Sequence, residues 1–215
     1  MYKKVCLIIV GILIQQFAFS MDAVDQLKNF SKMTKTSSGE FLQQQVSQSS
    51  DGKLKVNKEL SGTFVFSRPG KFIWHVLKPY EQKMLADGKQ LVMWDKDLNQ
   101  VTYRPVGQAL ATTPAAILFG DIALEQYFDL KSAGEKNGLN WVELVPKTKQ
   151  NGLNDIPYSK IGIGLADNLP QAMELRDNFG NIVLLTFKQI KTNVSVSQSD
   201  FNFKNPPGVD IVRLP

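Results

Sequence analysis

Residues 71–77 read KFIWHVL, and as an extended strand they have no polar face. Side chains alternate along a strand, so Phe72, Trp74 and Val76 fall on one side and Ile73 and Leu77 on the other. Met84-Leu85-Ala86 and Leu91-Val92-Met93-Trp94 repeat the pattern. A strand in a simple sandwich needs only one apolar face. A sheet apolar on both faces has to be covered on both. One cover can be the core. The other is either a helix packed in the ordinary way or a bound apolar ligand, and the pattern leaves both open. Methionines and large aromatics concentrate in these runs, and methionine suits a pocket that adapts its shape.

Around these runs the chain is punctuated like a β protein. Residues 22–35 read as an amphipathic helix that Asp22 can cap, with Val24, Leu27, Phe30 and Thr34 at helical spacing. From Gly39 onward short β-type runs follow at 40–48, 60–68, 71–77, 82–87, 90–94 and 99–104. Asp51-Gly52, Pro69-Gly70 and Asp87-Gly88 suit the tight turns between them. The segment 112–128 breaks the pattern. Thr113 can cap a helix with Pro114 at its first position and Ala115, Ala116, Ile117 and Leu118 behind it, and 121–128 can form a second short helix. Strand runs resume at 129–133, 140–146, 158–165, 171–177 and 181–190, and 201–212 reads as a last extended segment. Gly162 and Gly164 read as strand glycines that allow bending. About ten strands and a few short helices predict one domain built on a large curved sheet or barrel.

The first twenty residues stand apart. Lys3 and Lys4 precede a nearly continuous apolar run from Val5 to Phe19, and Ala18-Phe19-Ser20 resembles a cleavage site. This is the pattern of a secretory signal peptide, and the run of about 15 residues is short of the roughly 20 that span a bilayer. Residues 1–20 are therefore expected to be removed, leaving 21–215 as the domain. With Lys3 and Lys4 gone the formal charge falls from +5 to +3. No cluster of basic residues interleaved with aromatics marks a nucleic-acid site. Cys6 is the only cysteine and lies inside the signal. The mature chain is thus expected to lack disulfides, thiolate metal sites, a cysteine nucleophile and a lipidated N-terminal cysteine.

Motifs of catalysis are not visible. His75 is the sole histidine and sits beside Trp74 in a strand. No serine elbow or cysteine accompanies it, so a surface or hydrogen-bonded structural role is expected. Asp95 and Asp97 are weak candidates for an acid–base pair, and no ligand spacing suggests a metal. The expectation is a protein that is not an enzyme, with no catalytic residues, no metal and no cofactor.

Several strings, in order, resemble the LolA family of outer-membrane lipoprotein carriers. They are Gly39-Glu40-Phe41-Leu42-Gln43-Gln44, Ser61-Gly62-Thr63-Phe64 leading into Arg68-Pro69-Gly70-Lys71-Phe72-Ile73-Trp74, and Pro79-Tyr80-Glu81-Gln82. Trp94-Asp95-Lys96-Asp97-Leu98-Asn99-Gln100, Thr113-Pro114-Ala115-Ala116-Ile117-Leu118, Asp177-Asn178-Phe179-Gly180 and Phe201-Asn202-Phe203-Lys204-Asn205-Pro206-Pro207-Gly208 continue the match. It covers nearly the whole mature chain.

The resemblance implies a half-open, strongly curved antiparallel β-barrel with a helical lid. It implies a periplasmic carrier, in a Gram-negative cell, of triacylated lipoproteins. These would be received from an inner-membrane ABC-type release complex and passed to the outer-membrane receptor LolB, by a soluble and monomeric protein. In the family an arginine matching Arg68 latches the lid, whose residues here would be Thr113, Pro114, Ala115, Ala116, Ile117 and Leu118. Phe72 is expected as a lipid or partner contact and Trp74 as cavity wall. Phe64, Phe66, Met84, Met93 and Trp94 are further candidates for the acyl cavity, subject to strand register. A general periplasmic lipid- or glycolipid-binding protein on the same fold is the alternative. A third class, an interaction module such as a stress-sensor domain, would usually need a second domain.

Overall fold

The structure is a computed structural model that describes residues 21–48, 53–106, 118, 124–147 and 157–214. Helix α1 (Ala23–Met33) begins the described chain. Six strands follow as a meander: β1 (Thr36–Gln48), β2 (Leu54–Ser67), β3 (Lys71–Lys78), β4 (Gln82–Asp87), β5 (Gln90–Asp95) and β6 (Gln100–Pro105). After the short helix α2 (Leu124–Tyr127) a second meander runs through β7 (Phe128–Lys136), β8 (Leu139–Pro146), β9 (Tyr158–Ala166), β10 (Leu169–Asp177) and β11 (Ile182–Thr192). A 3₁₀ turn at Gln198–Phe201 and the strand β12 (Asp210–Arg213) end it.

All twelve strands join one sheet in the order β12-β6-β5-β4-β3-β2-β1-β11-β10-β9-β8-β7. The two meanders meet where β1 pairs with β11, Phe41 opposite Phe187. The edges β12 and β7 do not pair, so the barrel stays half open. One pairing departs from the expected antiparallel pattern: β12 runs parallel to β6, Ile211 opposite Val101. The chain reaches β6 by crossing the outer face of the sheet rather than by a hairpin, so nothing obliges it to reverse direction.

Register separates the two faces. Phe64, Trp74, Met84, Met93 and Thr102 are cross-strand partners in series, and Phe66, Phe72, Ala86, Leu91 and Arg104 form the next row. Partners in antiparallel register share a face. These rows belong to the concave side, where the main core also gathers Val142 and Leu144 of β8, Ile161, Ile163 and Leu165 of β9, and Leu27 and Phe30 of α1. α1 packs across β7, β8, β9 and β10. Its N-terminus is fixed by Asp22, which accepts from the Val24 N–H and from the Ser132 hydroxyl of β7.

The alternate residues form a second, smaller core on the convex side. It holds Leu85, Val92 and Val101, with Ile73, Trp94, Tyr103, Phe203 and Val209 packed against it. The cover on this side is the segment after β11, with its 3₁₀ turn against β3 and β4. The Tyr103 hydroxyl donates to Asn205 Oδ1 at 2.6 Å, Asn99 Nδ2 to the Gly208 carbonyl at 2.8 Å, and Lys71 Nζ to Gln198 Oε1. The ammonium of Lys71 also lies over the buried ring of Phe201. The two apolar faces of β3–β5 thus have two different covers, built from opposite ends of the chain.

Three strand glycines sit where another group comes close. A Cβ on Gly62 would stand 1.9 Å from the His75 carbonyl oxygen, where β2 bulges against β3. On the other half, Gly164 and Gly162 seat the indole of Trp141, whose ring atoms would lie 3.0 and 3.3 Å from their Cβ positions. These glycines serve the packing of an aromatic on the convex face.

His75 lies on the convex face, half-buried, with Nε2 3.1 Å from Glu81 Oε1. Lys96 Nζ donates to Glu81 Oε2 at 2.6 Å, and the Lys96 N–H to the Glu81 carbonyl at 3.2 Å. The carboxylate therefore ties β3 to the turns on either side of β4 and β5. Lys96 first, then His75, hold the Glu81 carboxyl below its ordinary value of 4.5.

Gly62→Ala is expected to cost about 3 kcal/mol in urea unfolding, because the added methyl meets backbone. Gly162→Ala meets only the face of a ring and should cost about 1 kcal/mol or less. Glu81 binds its proton more weakly folded than unfolded. Its contribution is therefore present above pH 4.5 and is lost as pH falls through the folded value. Unfolding free energies measured between pH 7 and pH 3 should fall less steeply for Glu81→Gln than for the natural protein.

Candidate functional site

The concave face is lined by aromatics that contact one another. Phe41 stacks on Trp74 with centroids 3.8 Å apart, and Phe64 and Phe187 close round the same indole. α1 lays Phe30 edge-on against Phe66 at 6.2 Å. Leu118 and Leu124 are buried in the same core.

Arg68 stands where these parts meet, at the end of β2. Its Nε donates to the Thr34 carbonyl, the C-cap of α1, and its Nη2 donates to the Leu118 carbonyl, both at 3.0 Å. The guanidinium carbon lies 5.0 Å from the Phe66 centroid and 5.8 Å from that of Phe30. One cation therefore holds two pieces of the inner cover by charge-assisted bonds while its plane rests on aromatic rings. The Arg68 N–H also donates to the Lys35 carbonyl at 2.8 Å, and Asn193 ties the same corner through the Lys35 N–H and the Met33 carbonyl. The macrodipole of α1 places partial negative charge at the end that Arg68 meets.

Where the cover ends, a hollow of about 250 Å³ opens on the concave face of β3–β6. Trp74, Val76, Met84 and Met93 make its apolar wall, and Gln82, Asp95, Gln100 and Thr102 its polar border. Its volume is below the roughly 300–1,000 Å³ of sites that enclose a small ligand. A larger apolar guest would have to displace part of the cover.

The residues singled out from the sequence separate into three groups. Phe64, Phe66, Phe72, Trp74 and Met84 share the concave core, and Met93, 38% exposed, lines the hollow. Phe72 is 1% exposed and faces the interior. Trp94 borders the hollow, and its ring packs with Phe203 in the convex core. The alternation of β5 puts Leu91 and Met93 inside and Val92 and Trp94 outside. Leu118 is buried and accepts from Arg68, while Thr113, Pro114, Ala115, Ala116 and Ile117 lie outside the described residues. Thr34 was not anticipated as an acceptor. Its signal was its place at the end of the predicted helix, where carbonyls lack helical partners.

Among the described residues, no group of three or more His, Cys, Asp or Glu could hold a metal, and no helix is long and apolar enough to cross a membrane.

The profile of the outer membrane lipoprotein carrier protein LolA matches residues 32–204. An outer-membrane lipoprotein carrier protein of Cupriavidus pinatubonensis is 47% identical over 191 residues, covering 89% of this chain and 87% of that protein. The protein of the same name from Ralstonia nicotianae is 45% identical over 192 residues, covering 89% and 87%. Among solved structures, a LolA superfamily protein from Nitrosomonas europaea shares the fold with a TM-score of 0.50 at 10% identity, covering 86% of this chain and 99% of that one. An uncharacterized conserved protein from Thermus thermophilus aligns with a TM-score of 0.56 at 13% identity, covering 89% and 96%. A half-open barrel whose inner cover is clasped by an arginine, matched at this identity along most of its length, belongs to the LolA family of outer membrane lipoprotein carrier proteins.

Proposed function

We propose that this chain carries lipoproteins across the periplasm by taking their acyl chains into the concave face of the barrel. The observation that carries the reading is the Arg68 clasp, a polar fastening over an aromatic interior. Each methylene moved from water to an apolar surface gains roughly 0.8 kcal/mol. Acyl chains therefore need a carrier to cross water, and the carrier's own apolar lining needs a cover when empty. In the closed form Phe30 and Leu118 supply that cover.

The clasp sets the balance. A hydrogen bond from a charged group contributes about 1.5–3 kcal/mol. Two of them bias the cover toward closure without locking it, so acyl chains can enter and closure can help expel them. The reading needs no covalent step, cofactor or catalytic residue. Residues 1–20 would serve as the export signal, and the carrier would work as a monomer. The donor would be an inner-membrane ABC-type release complex and the acceptor the outer-membrane receptor LolB. The names of the curated relatives favour lipoprotein cargo over a general lipid or glycolipid cargo.

Added to spheroplasts with an active release complex, the protein should bring lipoproteins into the soluble fraction; cargo that stays in the membrane would refute the reading. Arg68→Leu should still load, since it opens the cover. Each 1.4 kcal/mol removed shifts the open-to-closed ratio about tenfold. Transfer from the loaded variant to receptor-bearing vesicles should then fall by about tenfold or more. Mass spectrometry of ligand co-purified with the protein separates triacylated lipoprotein from glycolipid or free fatty acid.

A further inference from the structure

The concave face carries a second arginine that the clasp does not use. Arg104 of β6 is the register partner of Leu91, and its row continues through Ala86 and Phe72 to Phe66. Those four side chains are at most 1% exposed in the inner core, so Arg104 points to the inside of the barrel. Val106, just beyond it, also packs on that core. Arg104 is half-buried, and its Nε is enclosed with no hydrogen-bond acceptor among the described residues.

Two neutral side-chain atoms share that condition, Ser37 Oγ and Asn168 Oδ1. Arg104 is the charged one. Asp95, two rows away on the same face, is engaged by Gln82 Nε2 at 2.6 Å. Asp87 does not compensate it either, since its Oδ1 accepts from the Lys89 and Gln90 N–H groups in the turn. An enclosed donor on a charged group is costly unless something supplies an acceptor. The next row outward holds Met93 and Thr102, which line the hollow. Arg104 therefore stands one row beyond the lining of that hollow, against apolar neighbours.

We propose that Arg104 is a polar anchor within the acyl site, donating to the carbonyl oxygens at the head of an incoming acyl chain. This deepens the carrier reading and rests on it. Methylenes offer no acceptor. The group that arrives with them and can satisfy a guanidinium is the acyl carbonyl, and the planar fork of donors suits paired oxygens. Those oxygens can belong to the glyceryl esters of a lipoprotein or to the carboxylate of a free fatty acid. In either case the contact fixes how deep the chain sits. In this structure the Nε and Nη2 of Arg68 are instead engaged by main-chain carbonyls of the cover.

The test compares three probes on the purified protein and on Arg104→Met and Arg104→Lys. The probes are a dipalmitoyl-glyceryl cysteine peptide, its ether-linked analogue without carbonyls, and palmitate. The natural protein should prefer ester to ether by about tenfold, the ratio expected for one charge-assisted bond. Arg104→Met should bind both equally and Arg104→Lys should keep part of the preference. The ratio is taken within each variant, so a fall in folded fraction does not mimic the effect. If the natural protein shows no ester preference but palmitate binding falls about tenfold in Arg104→Met, the anchor stands and its ligand is a carboxylate. Equal ester and ether binding with unchanged palmitate binding overturns the anchor and leaves the carrier reading intact. An ester preference that survives in Arg104→Met also overturns it. Binding of none of the probes by the natural protein overturns both.

Discussion

β3, β4 and β5 carry large apolar side chains on both faces, and that requirement organises the chain around them. Phe72, Trp74 and Met84 have to be kept from water on one side, and Ile73, Leu85 and Val92 on the other. A single curved sheet can wrap only the inner set. The outer set is covered by the extended segment that follows β11, which crosses the convex face and ends as β12 beside β6. The parallel pairing of β12 is a consequence of that route. The inner set is covered by α1 and by Leu118.

The two covers are fastened in different ways, and the difference assigns their roles. The outer one is part of the sheet. It has a ladder along β6, side-chain bonds at Asn99 and Tyr103, and the Arg213 guanidinium 4.7 Å from the Tyr103 centroid. Opening it would strip hydrogen bonds from the backbone. α1 lies on the inner face with no ladder to the strands. Its polar ties are few, Asp22 with Ser132 at one end, Arg68 and Asn193 at the other, and Gln26 with the Asn168 N–H and Lys28 with Glu125 between them. Segments held by few polar contacts open at lower free energy than those in a sheet. A barrel that must admit acyl chains thus has one face suited to opening and one that stays shut.

Much of this was legible in the sequence, because local chemistry and global fold agree along most of it. Asp22 marks the start of α1, Pro69-Gly70 and Asp87-Gly88 mark turns, Asp51-Gly52 lies outside the described residues, and the two-sided apolar runs announce two covers. The outer cover was not legible as such. Residues 194–209 have no period, and only their contacts with Trp94 and Tyr103 reveal what they do. The inward places of Phe64, Phe66 and Trp74 and the outward place of Trp94 follow from register, which a one-residue slip would invert. Gly162 and Gly164 illustrate the same limit, since their role lies in Trp141 on the neighbouring strand. Arg68 was singled out only through the family resemblance, and as an isolated residue it reads as a surface arginine before a turn. Arg104 gave no signal at all, because its meaning lies in facing Leu91 across the sheet.

The closed inner cover is itself a stand-in for cargo. Phe30 and Leu118 fill the concave face with apolar surface, so an entering acyl chain exchanges one apolar contact for another. The large hydrophobic terms largely cancel between the empty and loaded forms, and the balance passes to the few polar contacts that differ between them. On the proposed reading, Arg68 acts on the closed side of that balance through its bonds to Thr34 and Leu118. Its two bonds are of the same order as burying a few methylenes. A carrier built this way binds weakly for the area it covers, and for a protein that must surrender its cargo this is the useful condition.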